Sequence, residues 1–182
     1  TLTFLADNTA FDAVTVQVLQ NYNYLVTSLS STMITGTSLN FGDDSSAKVT
    51  SPFEIPFGGG TFTELYVSSN GNLNFMGPYT AYINDPLPTS ALSTLVAPFW
   101  DDLYPVPGSG QDVYWGIIGG APNRQLVIEW RDVRHYNCNA DSLATVRFQV
   151  VFFEGSSDIL FNYADTTFGG ACTCADQGGS AT

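Results

Sequence analysis

The chain has 182 residues, enough for one domain with or without an appendage, and enough to bury a full core without metals or several disulfides. Hydrophobic residues make up 44% and aromatics 14%, which excludes a disordered tail. The apolar runs, such as Leu95 to Phe99, are too short to span a membrane. Five basic residues face seventeen acidic ones, a formal net charge of −12. With no Lys/Arg cluster to neutralise phosphates, nucleic acid and anionic lipid are poor partners. Ser, Thr, Asn, Gly and Tyr supply most of the polar surface, a style common in secreted proteins. The chain opens at Thr1 without a basic and then apolar leader, as a processed secreted protein does.

Residues 1–32 read as an N-terminal extension to a domain over 33–182. Within it Ala13 to Gln20 (AVTVQVLQ) alternates strictly, with Val14, Val16 and Val18 on one face, which is the period of a strand. The Ser/Thr-rich stretch Thr27 to Thr32 follows as a linker. Thr61 to Ser69 is the next strand, with Phe62, Glu64 and Tyr66 on one face and Leu65 and Val67 on the other. Asn70-Gly71 suits a type I′ turn because both residues tolerate positive φ, and Asn72 to Met76 is the return strand. Ser90 to Leu95 supports a short helix or turn at most.

Further strands are expected over Asp112–Ile118, Gln125–Val133, Leu143–Phe153 and Asp158–Tyr163. Gly119 to Asn123 and Gly155 to Ser157 carry the Gly, Pro, Asn and Ser of hairpin connections. Val150 to Phe153 is apolar on both faces, as in a strand covered on both sides. No capped helical period and no long internal repeat is visible. Short antiparallel strands joined by Gly and Pro turns give an all-β class. The expected architecture is an antiparallel β-sandwich with an N-terminal strand-bearing extension.

Six phrases recur in a fixed order: Ser51-Pro-Phe-Glu-Ile-Pro-Phe, Leu65-Tyr-Val-Ser-Ser-Asn-Gly, Ala97-Pro-Phe-Trp-Asp-Asp-Leu, Leu126-Val-Ile-Glu-Trp-Arg-Asp-Val, Phe148-Gln-Val-Val-Phe-Phe and Ile159-Leu-Phe-Asn-Tyr. Taken together, residues 39–182 resemble the nidogen-like extracellular domain and a related module of secreted bacterial proteins. The resemblance implies a non-catalytic, secreted or cell-surface part of a matrix, adhesive or multidomain protein. It carries no universal binding site, so no functional residue comes with it. It also implies a further apolar strand after Gly178-Gly-Ser-Ala-Thr, where this sequence stops at Thr182.

The residues themselves offer little catalytic chemistry. His135 is the single histidine, it reads as an ordinary loop or surface residue, and no Gly-x-Ser-x-Gly elbow is present. Asp101-Asp102 and Asp43-Asp44 are acidic pairs. Calcium could take Asp101 and Asp102 with loop carbonyls and water, but turn formation by Asp is the stronger reading, so no cofactor is expected. Cys138, Cys172 and Cys174 fall in loop-like stretches where an exposed thiol oxidises outside the cell. The hairpin over 143–163 brings Cys138 towards the other two, so Cys138 is expected to pair with Cys172 or Cys174. Tyr79, Tyr82, Tyr104 and Tyr136 read as loop aromatics suited to a sugar or protein partner. Trp100, Trp115 and Trp130 are assigned to the core.

These readings favour a structural or adhesive module over a glycan-binding, calcium-dependent accessory module. The partners expected are other protein copies, extracellular matrix or glycan. A sheet ending one strand early is a template for another strand. Ala13 to Gln20, with Val14, Val16 and Val18, is expected to complete the sheet of a neighbouring copy and so build a homopolymer. The alternative is that residues 1–32 fold back on their own domain.

Overall fold

The computed structural model of the protein describes residues 34–84, 87 and 94–171. The donor segment 13–20, the boundary at residues 32–33, most of the Ser90–Leu95 stretch, Cys172 and Cys174 lie outside the described residues. What is described is an all-β sandwich of two antiparallel sheets. The strands are β1 (Thr37–Ser38), β2 (Ser46–Phe57), β3 (Gly60–Ser68), β4 (Leu73–Asn74), β5 (Leu95–Val96), β6 (Leu103–Tyr104), β7 (Asp112–Ile118), β8 (Gln125–His135), β9 (Thr145–Phe153) and β10 (Ile159–Asp165). The larger sheet runs β1-β7-β8-β9-β10, with β6 beside the far end of β8, and the smaller runs β2-β3-β4-β5.

The strands around residues 112–118, 125–133, 143–153 and 158–163 form as expected and carry the larger sheet. Their alternation fills the space between the sheets with Leu126, Ile128, Trp130, Phe148, Val150 and Phe152, facing Val49, Leu65, Val67 and Leu73. Burying each such side chain stabilises the fold by roughly 1.5–3 kcal/mol. Trp130 stacks on Phe148 at 4.9 Å, and Phe75 meets Phe152 edge-on across the sheets at 5.7 Å. The expectation that Val150 to Phe153 is covered on both sides holds, because Val151 is buried on the outer face with Ile34 and Val127.

Four expectations need correction. First, β2 is a long strand over a stretch where no strand is expected from the sequence. It is an edge strand, where a missing N–H costs no ladder bond, and both prolines point outward while Val49, Ser51, Phe53 and Ile55 are buried. Second, Phe62 faces inward with Leu65, stacking on Phe75 at 4.9 Å, because a register shift interrupts the β2–β3 ladder. Third, Asn70-Gly71 is not a type I′ turn. Ser68 donates to Asn72 O, and of the two residues only Gly71 has positive φ, at 71°. That fits a three-residue loop with a left-handed glycine at its end. A Cβ on Gly71 would also lie 1.7 Å from Phe99 O, so the 97–100 loop packs on bare backbone.

The fourth correction concerns His135. A bulge between Trp130 and Val133, with Asp132 at φ 48°, shifts the parity of β8. Val133 and His135 therefore continue the inward face begun by Trp130, and His135 is 3% exposed rather than a surface histidine.

Candidate functional site

Three loops meet at one end of the sandwich: 39–45 before β2, 69–72 between β3 and β4, and 97–102 before β6. Asn70 ties them together from a fully buried position. Its Nδ2 donates to Asp44 Oδ1 at 2.7 Å and to Thr80 O at 2.9 Å, and its Oδ1 accepts from Leu103 N at 3.0 Å. Its backbone O accepts from Asp101 N at 3.4 Å. Asp44 stands in the left-handed region, at φ 45°, which Asp tolerates better than most side chains.

The result is a group of three carboxylates: oxygens of Asp43, Asp44 and Asp102 lie within 4.8 Å of one another. Asp43 and Asp44 are exposed and Asp102 half-buried. The Asp102 carboxyl is pushed up to about 6, chiefly by burial; His135 pulls it back, and Asp43, Asp44 and Asp101 add to the rise. Asp43 is also raised, by burial and then by Asp44. A divalent cation taking one oxygen from each residue would relieve this repulsion, with water completing the shell that calcium requires.

The expected pairing of Asp101 with Asp102 is not what the fold builds. Asp101 Oδ1 accepts from Asp102 N at 2.8 Å and lies 3.6 Å from His135 Nε2. Asp101 is 5% exposed and belongs to an internal pair, whereas Asp102 points to Asp43 and Asp44. Sequence adjacency suggested two separate pairs, and only the tertiary contact through Asn70 brings members of both together. His135 Nδ1 accepts from Asn137 N at 3.0 Å, and its ring meets Phe168 edge-on at 5.3 Å.

The four tyrosines divide. Tyr82 and Tyr136 are 47% and 43% exposed, while Tyr79 and Tyr104 are half-buried. Tyr104 is a strand residue in β6, not a loop residue, and its ring lies 6.0 Å from that of Tyr136. Tyr136 N donates to Asp102 O at 2.8 Å, so this aromatic pair borders the carboxylates. Tyr79 packs edge-on against Trp100 at 5.6 Å. Trp100 and Trp130 are core residues, and Trp115 packs against the core from a partly buried position.

Cys138 is buried in a short 3-10 turn rather than exposed. Ala171 N donates to Asp141 Oδ2 at 2.7 Å, and Asp141 N donates to Cys138 O at 2.9 Å. The chain thus approaches the Cys138 turn one residue before Cys172. The five basic side chains are all engaged. Lys48, Arg124, Arg131 and Arg147 pair with Glu64, Glu154, Glu129 and Asp132, and Arg134 bonds Gln111 and Asn139 O. No helix of the described residues is long and apolar enough to cross a membrane.

No curated protein and no solved structure matches the chain. The sequence pattern of one family, described as NIDO related, matches residues 15–181, from within the stretch read as an extension almost to the last residue. The chain belongs to the NIDO-related family.

Proposed function

We propose that this chain is a non-catalytic structural or adhesive module that assembles with copies of itself by strand donation. The NIDO-related domain is an extracellular-type module. Its one histidine is turned inward against Asp101 and Phe168, which favours a structural over a catalytic role.

The observation that carries the assembly reading is the β10 edge. Among the described residues β10 pairs with β9 alone. Its register sets Phe161 beside Val150 and Tyr163 beside Phe148, both core-facing partners. Yet Phe161 and Tyr163 are 38% and 39% exposed. Apolar side chains on the core side of an unpaired edge lack a covering strand. The β2 edge of the smaller sheet, by contrast, is guarded by Pro52 and Pro56. Ala13–Gln20, with Val14, Val16 and Val18 on one face, has the pattern such an edge takes up. Head-to-tail donation does not close and yields a fibre. Light scattering of the full chain should show large assemblies that vanish when residues 1–20 are deleted, while the shortened chain stays folded. A full chain that stays monomeric at high concentration overturns the reading.

A second reading rests on the carboxylates Asp43, Asp44 and Asp102 beside the Tyr104–Tyr136 pair. Carboxylates that hold calcium next to the exposed Tyr136 ring suit a calcium-dependent glycan contact. Glycan-array binding abolished by EDTA would favour it over the first.

A further inference from the structure

The outer face of the larger sheet holds buried groups that a solvent-facing surface would not need. Val127 and Val151 are 2% and 5% exposed there, and Tyr114, Phe153 and Leu160 pack around them. Glu129 and Gln149 on the same face are 0% and 4% exposed. In this apolar cluster, among the described residues, Ile34 is the member that comes from outside the sheet.

Ile34 is held by both of its backbone polar groups. Its N–H donates to Glu129 Oε2 at 3.1 Å, and its carbonyl accepts from Arg131 Nη2 at 2.6 Å. Glu129 and Arg131 bond each other at 2.5 Å, Gln149 Nε2 donates to Glu129 Oε2 at 2.6 Å, and Asn162 Nδ2 donates to Gln149 Oε1 at 3.0 Å. The Arg131 guanidinium lies 3.8 Å over the Tyr114 ring. A buried carboxylate and a guanidinium spent on one residue's peptide groups form a clamp for an extended chain. Gly36 lets the chain turn from the β7 edge onto the face, since a Cβ there would stand 2.7 Å from Trp115 O.

We infer that the outer face of the larger sheet is a docking surface for residues 21–33 of the same chain. The clamp delivers the chain over β8, and the buried stripe runs on from Val127 through Val151 in β9 to Leu160 in β10. Two strand spacings, about 10 Å, separate β8 from β10. An extended segment 21–33 reaches about 40 Å, ample to cover the stripe. Tyr22, Tyr24 and Val26 alternate with polar or apolar neighbours and offer one face to it. The family match begins at residue 15 and so includes this stretch. The docking stands apart from strand donation, although it would set residues 13–20 down on the β10 side of the sheet.

Amide hydrogen exchange on the full chain, diluted until light scattering reads monomer, tests the docking. Residues 21–33 should exchange at least about ten-fold slower than the same sequence as a free peptide, as docked backbone does. Leu160→Asp should remove that protection while 126–130 and 146–152 keep theirs. Exchange of 21–33 at the free-peptide rate overturns the inference. So does protection that appears only in assembled material, or protection that Leu160→Asp leaves intact. Monomers that protect 21–33 and never assemble would uphold the docking and end the donation reading.

Discussion

Asn70 Nδ2 donates a 2.7 Å hydrogen bond to Asp44 Oδ1, so a hairpin loop of the smaller sheet orients a carboxylate presented before β2. The same side chain satisfies Thr80 O and Leu103 N from a position with no solvent access. Asn70→Ala therefore removes three side-chain hydrogen bonds at once, one of them to a carboxylate. Each costs roughly 1–3 kcal/mol, and the expected loss is about 3 kcal/mol, read as a fall in the urea midpoint with the slope unchanged. A loss below about 0.5 kcal/mol would place Asn70 outside the organisation of the site.

Asp102 gives a pH signature of opposite sign to the usual carboxylate. Its folded value, about 6, stands above the ordinary aspartate value of 3.8. Between those values the folded state binds more protons, so stability falls as pH rises through that window. Asp102→Asn removes the effect. At pH 7 the variant should be more stable than the parent by about 1 kcal/mol, after discounting for solvent screening of a partly exposed group. The gap should close below about pH 4, where the carboxyl is protonated in both states. Urea melts at stepped pH check it, and a variant less stable at pH 7 would contradict it.

The buried Cys138 should be joined to Cys172 or Cys174. Peptide mapping without reductant should find one linked pair and one free thiol. Reduction should lower stability by roughly 3–4 kcal/mol, because opening a loop of this length restores entropy to the unfolded chain. Three free thiols in native material would refute the pairing.

The larger sheet was legible because Gln125–Val133 and Leu143–Phe153 carry β-branched and aromatic residues between Gly-rich turns. β2 was not, because its prolines are acceptable only on an edge, and edge position is a tertiary fact. His135 was misplaced because one extra residue near Asp132 reverses the inward parity, and no local pattern announces a bulge. At the site, each acidic pair was visible, but their regrouping as Asp43, Asp44 and Asp102 depends on Asn70 bridging loops far apart in sequence. Asn70 looked like a turn residue alone, and its buried hydrogen bonds left no separate mark in the chain.

Strand donation is tested most directly by mixing two variants that each lack one half of the contact. The first lacks residues 1–20 and keeps the β10 edge. The second keeps residues 1–20 but carries Phe161→Lys, which sets a charge on the exposed core-facing side of that edge. Each alone should be a folded monomer by light scattering. Mixed in equal amounts they should form a one-to-one heterodimer that grows no further, since only one donor and one acceptor remain. A mixture that stays monomeric, with both variants folded, would contradict donation between copies.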